Sequence, residues 1–182
     1  KDLVTLDCSH NDLEQLDVKN SKSLVALNCS ANQLTELDVD VTHKPNLERV
    51  ECQNNQLTSL ILGQNKLLKK LNCAHNQLTQ LNLNNMISLK DLNCFNNQLT
   101  VLDVSDSPKL TTLWLGDNHL TSLNLDNKVS LFARVIDLDT GESGDMIFNK
   151  YDPVCSDLDD PEEPELLPEE LELLKKLDAE EE

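Results

Sequence analysis

The chain has 182 residues, 37 of them Leu and 20 Asn, while Phe, Tyr and Trp together number five, a bias far from ordinary globular usage. A charged fraction of 26% beside 38% hydrophobic residues argues for a folded, soluble chain. No apolar run approaches the roughly 18 residues of a membrane span, and no pair of the four Gly has the spacing of a phosphate-cradling loop, which sets nucleotide enzymes aside. The net charge of −18 is uneven: residues 152 to 182 hold 14 acids and two Lys, −12, which leaves −6 for the rest. Clustered Lys and Arg are what phosphate backbones and anionic membranes require, so neither nucleic acid binding nor membrane insertion is expected.

The first residues, KDLVTLDCS, lack a charged segment followed by an apolar one and so carry no signal peptide. They already lie inside a repeat, which suggests a mature protein or a piece cut from a longer one. Leu3, Leu24, Leu47, Leu68, Leu89, Leu110 and Leu131 head segments 21, 23, 21, 21, 21 and 21 residues apart. Each runs Leu, two variable residues, Leu or Val, one variable, Cys or Leu, two variable, Asn, then a second apolar set such as Leu78, Leu81 and Leu83. Alternation in L-x-C is the signature of a strand with one face buried. Leu6 with Cys8, Leu27 with Cys29, Val50 with Cys52, Leu71 with Cys73, Leu92 with Cys94 and Leu113 with Leu115 therefore point inward. A unit of 21 residues cannot bury its apolar edge alone, so neighbours stack into a solenoid whose short strands form one parallel sheet. The two extra residues of the 23-residue unit fall in 40 to 46 on the convex side, as a loop.

Asn11, Asn32, Asn55, Asn76, Asn97 and Asn118 end the strands at a tight bend. A buried amide carries donors and an acceptor and can satisfy backbone groups of adjacent coils, so this ladder is structural. Cys8, Cys29, Cys52, Cys73 and Cys94 share one inward position, where a thiol acts as a small hydrophobe. Stacked Cβ vectors are parallel, which disfavours disulfide geometry, and a straight ladder diverges from a tetrahedral metal site. Cys155 stands outside the ladder as the candidate for a free or intermolecular thiol.

The pattern L-x-x-L-x-C-x-x-N-x-L-T-x-L-D-V, written here as LVALNCSANQLTELDV and LKDLNCFNNQLTVLDV, resembles the bacterial leucine-rich repeats of the internalin group, in its cysteine-ladder, internalin J-like subtype. The resemblance covers roughly residues 1 to 140 and implies an α/β solenoid, mostly β and coil: a leucine-rich-repeat horseshoe with a parallel concave sheet, six full repeats and a degenerate terminal repeat. It also implies recognition of a protein, or of a host or cell-surface protein or glycan, through the concave sheet of a secreted or cell-surface adhesin. An N-terminal helical cap and a wall-anchoring motif, which the family carries, are not found in this sequence.

In the seventh unit, LFARVIDLD, Arg134 falls where an inward Leu is expected and Asp139 where Asn should be, so the array ends in an imperfect strand over 132 to 138. Asp137, Asp139, Glu142 and Asp145 follow among glycines, yet the order D-x-D-x-G lacks the fifth-position ligand and the Glu at twelve of a calcium loop. No metal and no cofactor are expected. DPVCSDLDDPEEPE, with Pro153, Pro161 and Pro164, has the composition of a linker. Pro168 suits a first helical position, and Leu167, Leu171, Leu174 and Leu177 recur at helical spacing, giving an amphipathic helix over 168 to 179 that docks in cis on the open end of the solenoid or binds a partner. The expected organisation is a solenoid over 1–140, an acidic Pro-containing linker over 141–164 and an acidic tail with a short helix over 165–182.

His10, His43, His75 and His119 have no matched Ser, Cys or carboxylate partner in a nucleophile arrangement, so no catalytic residue is named and the chain is not read as an enzyme. The informative positions are those facing out from the strands. Most are small or polar, but Trp114 lies outward on the sixth strand with Phe95 diagonal to it on the fifth, where exposed rings make a binding hot spot, stack on each other or lie under the tail. Arg49, Lys69, Lys70 and Lys90 form a basic patch interrupted by Glu48, Glu51 and Asp91, either a solvated mixed-charge surface or a docking patch for an acidic segment such as this chain's own tail. Trp114, Phe95, Arg49, Lys70, Lys90, Asn93 and Asn72 are the partner-binding candidates. Two function classes follow: a recognition module using the concave face, or a structural spacer or trimmed, capped solenoid fragment with no ligand of its own.

Overall fold

Each of the six full coils contributes one three-residue strand to the concave sheet, centred on the inward Leu or Val of the alternating stretch. The computed structural model describes residues 3–40 and 45–125 in full, and the backbone of 130–136 and 143–149. The concave strands are β1 (Thr5–Asp7), β2 (Ala26–Asn28), β4 (Arg49–Glu51), β6 (Lys70–Asn72), β7 (Asp91–Asn93) and β9 (Thr112–Trp114), followed by β11 (Ser130–Ile136) and β12 (Ser143–Asn149). They form one sheet in the order β1-β2-β4-β6-β7-β9-β11-β12, parallel throughout except for the final antiparallel pair. On the convex side β3 (Glu36–Asp38) pairs with β5 (Ser59–Ile61), and β8 (Val101–Asp103) with β10 (Ser122–Asn124), both parallel. No helix occurs among the described residues. The horseshoe is thus a β-solenoid, with coil and short strands on its convex side.

The inward register is as the alternation requires. Leu27, Cys29, Val50, Cys52, Leu71, Cys73, Leu92, Cys94, Leu113 and Leu115 are buried, and Leu78, Leu81 and Leu83 close the core opposite them. Leu6 and Cys8 are only half-buried, because no described coil covers the first one.

Register also locates the irregularities. Leu27 pairs with Val50 and Leu37 with Leu60, each 23 apart, whereas Val50 pairs with Leu71 at 21. The two extra residues therefore lie between Asp38 and Arg49 and leave the concave sheet in step, as the sequence placed them.

The terminal unit differs from expectation. Thr112 pairs with Phe132 and Trp114 with Arg134, a spacing of 20, so Ala133 and not Arg134 stands level with Leu113. A slip of one residue exchanges the two faces of a strand. It moves Arg134 from the level of an inward Leu, where an unpaired cation is costly, to the level of the outward Trp114. β11 then begins at 130 and ends at 136, two residues earlier than the expected 132 to 138. Residues 143 to 149, read from sequence as the start of the linker, run as β12 against β11. Met146, Ile147 and Phe148 supply the β-forming residues that the flanking glycines and acids obscure. The turn acids at 137, 139 and 142, Cys155, the linker and the tail helix lie outside the described residues.

Candidate functional site

The bend after each concave strand is built by one conformation and one amide. His10, Ala31, Asn54, His75, Asn96 and Asp117, each preceding a ladder Asn, have φ between 51° and 57°. The chain turns there through the left-handed region and brings the next Asn side chain over the strand end. Asn76 Nδ2 then donates to the carbonyls of Cys73 (3.0 Å) and Ala74 (3.2 Å) in its own coil and of Cys52 (3.0 Å) in the preceding one. Its Oδ1 accepts the N–H of Leu57 at 3.0 Å. Asn32, Asn55, Asn97 and Asn118 repeat this set.

The thiols stack beneath. Cys52, Cys73 and Cys94 direct Sγ to the carbonyls of Asn72, Asn93 and Trp114 at 3.4, 3.5 and 3.4 Å. Burial pushes the Cys29 and Cys94 thiols up to about 12 and those of Cys52 and Cys73 well above the ordinary value. All five described cysteines are free thiols. Thiols held protonated in this way are neither nucleophiles nor metal ligands, and no group of three or more potential metal ligands occurs among the described residues.

Three rows of side chains face out of the concave sheet. The central row is Asp7, Asn28, Glu51, Asn72, Asn93 and Trp114, paired strand to strand. To one side lie Arg49, Lys70, Asp91 and Thr112, and to the other, two residues further along, Ser30, Gln53, Ala74, Phe95 and Gly116. Trp114 is half-buried beside Asn93, and Phe95 is half-buried between the coils of Ala74 and Gly116. Phe95 meets His75 edge-on, with ring centroids 5.3 Å apart and planes at 68°. The sequence had paired Phe95 with Trp114 and left His75 out, although His75 sits at a variable bend position one coil from Phe95.

The basic patch is largely engaged within the chain. Arg49 binds Glu51 through Nε at 3.1 Å and also through Nη2, Lys70 lies 3.9 Å from the same carboxylate, and Lys69 pairs with Glu48 at 2.8 Å. Such exposed pairs contribute little stability, but they cancel most of the patch's charge. Lys90 has no carboxylate within 4 Å among the described residues.

A concave parallel sheet, an asparagine ladder and a cysteine ladder at one 21-residue period define an internalin-like leucine-rich-repeat protein, a solenoid class whose general role is protein interaction. Among known structures, the chain is similar to the functional domain of InlJ from Listeria monocytogenes, described as including a cysteine ladder, with 38% identity and a TM-score of 0.67 over 72% of this chain. It is also similar to a leucine-rich-repeat protein of Leptospira interrogans, with 28% identity and a TM-score of 0.56 over 72% of this chain. The chain spans 29% of the first and 38% of the second. No protein-family profile matches it, and no curated protein matches its sequence.

Proposed function

We propose that this solenoid is a recognition module that binds a protein partner through its concave sheet, with Trp114 and Phe95 as anchors and Asn72, Asn93, Lys70, Lys90 and Arg49 around them. One observation supports the reading above others: along a face whose other residues are small or polar, two large rings emerge on the adjacent coils of β7 and β9. Aromatic anchors are enriched among residues that carry binding energy. Similarity to an internalin supports a secreted or surface-displayed protein, and adhesion to a host or cell-surface protein or glycan is the role proposed for it. Eight strands about 4.8 Å apart, with outward rows spanning about 13 Å, make a face on the order of 450 Å², short of the roughly 800 Å² per partner of a standard interface. Binding through this segment alone is therefore weak.

The second reading, a structural spacer, draws on Arg49, Lys69 and Lys70 being paired within the chain. The test is affinity capture of surface proteins by the intact chain and by Trp114→Ala, with melting followed in parallel. A recognition module loses its partner at least tenfold in the variant at nearly unchanged melting temperature. Equal capture moves recognition elsewhere, and no capture by either supports the spacer.

A further inference from the structure

The central concave row holds two hydrogen-bond donors that the fold leaves open. Each Asx residue of this row accepts the N–H two residues on through Oδ1: Asp7 from Ser9 at 3.0 Å, Asn28 from Ser30 at 3.1 Å, Asn72 from Ala74 at 3.2 Å and Asn93 from Phe95 at 3.1 Å. With Oδ1 held on that N–H, each Asn amide turns its NH₂ away from its own backbone. Asn28 shows where such a group goes, for its Nδ2 donates at 3.3 Å to Asp7 Oδ2 on the neighbouring strand. The same geometry does not close at Asn72 and Asn93. The residue beside Asn72 is Glu51, whose carboxylate is drawn onto Arg49 and Lys70. The residue beside Asn93 is Asn72, itself a donor. Neither Nδ2 has an acceptor among the described residues.

Two half-buried NH₂ groups on adjacent strands, with the Lys70 ammonium in the next row 3.9 Å from Glu51, form a donor-rich strip leading to Trp114. Asp91 and Glu51 are the acids nearest it, and Glu51 is already engaged. We infer that this strip receives a carboxylate of the partner, so that the segment seated on the concave face is an acidic peptide with an apolar residue next to its Asp or Glu. The carboxylate takes the place at Asn72 and Asn93 that Asp7 fills for Asn28, and charge-assisted bonds of this kind are roughly twice as strong as neutral ones. The apolar neighbour packs against Trp114 and Phe95. The inference rests on the concave-face reading above and specifies its ligand.

A random peptide library displayed on phage, panned on the intact chain, tests it. Recovered peptides are expected to share an Asp or Glu beside an apolar residue, and resynthesis with that acid replaced by Asn or Gln should weaken binding at least tenfold. The paired variant Asn72→Asp with Asn93→Asp retains the Oδ1 acceptor, as Asp7 demonstrates in the first coil, but presents oxygen in place of NH₂. It should fold and lose the same peptides at least tenfold. Peptides that lose affinity on Trp114→Ala yet carry no acid, or that tolerate both its amide replacement and the paired variant, overturn the acidic ligand and leave the concave face standing. Peptides indifferent to Trp114→Ala as well overturn both. Recovery of no peptide above background overturns the acidic ligand too.

Discussion

Asn76 Nδ2 lies 3.0 Å from the carbonyl of Cys52 one coil before it, so a single side chain fastens two turns of the solenoid. Asn76 is buried and its Oδ1 also holds the Leu57 N–H. Asn76→Ala leaves the buried Leu57 N–H without its acceptor and takes one of two donors from each of three carbonyls, and should cost about 1 to 3 kcal/mol. Asn11, exposed and with its side chain bonded only to Cys8 and Ser9 of its own coil, is the control. Asn11→Ala should cost less than about 1 kcal/mol. Urea denaturation of both variants distinguishes a ladder from a row of independent caps, and equal costs would contradict the ladder.

The thiols give a pH dependence with a definite sign. A cysteine whose pKa is raised in the fold holds its proton more tightly folded than unfolded. Its contribution is therefore complete below the ordinary thiol value of 9.0 and is lost as pH rises from there toward about 12 for Cys29 and Cys94. Stability should fall steeply across that alkaline window, and Cys→Ala changes at 52 and 73 should make the fall shallower even as they lower stability at neutral pH. Labelling follows the same order. Cys8, half-buried, reacts in the native state, Cys155 is expected from sequence to react fast, and the remaining four react only on unfolding. Native labelling of Cys73 at the rate of Cys8 would contradict a closed core.

Much of this solenoid was legible because its period is strict and its inward residues are of few types. Six coils of Leu and Cys at fixed offsets leave one register, and a one-residue error would bury Asp and Asn. The left-handed bend was not read, although its residues carried a signal: five of the six are His, Asn or Asp, which visit positive φ more readily than other residues. The sequence likewise did not separate Asn28 from Asn72 and Asn93. All three share a motif, and only the partner across the strand, Asp7, Glu51 or another Asn, decides whether the outward NH₂ is used. The slip at Arg134 was hidden because periodicity counts residues, whereas the pairing of β9 with β11 depends on how the connection before it returns.

Ala31 is the exception among the bend residues. At φ 52° its Cβ crowds the following carbonyl, a strain of about 1 to 2 kcal/mol that glycine escapes. Ala31→Gly loses part of that gain to the greater freedom of the unfolded chain. A net increase of up to about 1 kcal/mol is expected, read as a rise in the urea midpoint at constant slope. Ala31→Val should do the opposite, since a β-branched side chain is poorly tolerated there.

Asn65 marks a flaw in the core. It occupies the position held 21 residues later by Met86 and 42 later by Ser107, all three buried, at the inward point of the convex return. The backbone carbonyl of Asn65 accepts the Leu68 N–H at 3.3 Å, but its side-chain Oδ1 is buried with no donor among the described residues. An unpaired amide oxygen in an apolar surround costs about 1 to 3 kcal/mol. Leucine has nearly the same shape as asparagine and carries no polar atom, and Met86 shows that the site accepts an aliphatic side chain. Asn65→Leu should therefore raise stability by about 1 to 2 kcal/mol, because it removes the desolvated oxygen and adds apolar area to the core without overfilling it. The chain's backbone pairing around Leu62 and Leu68 should be unchanged, which amide hydrogen exchange would report as equal or slower exchange at Leu68. A loss of stability would mean that the amide is held by a bond the cavity supplies, and Asn65→Ser, which shortens the side chain while keeping a polar atom, would then be the less damaging of the two changes.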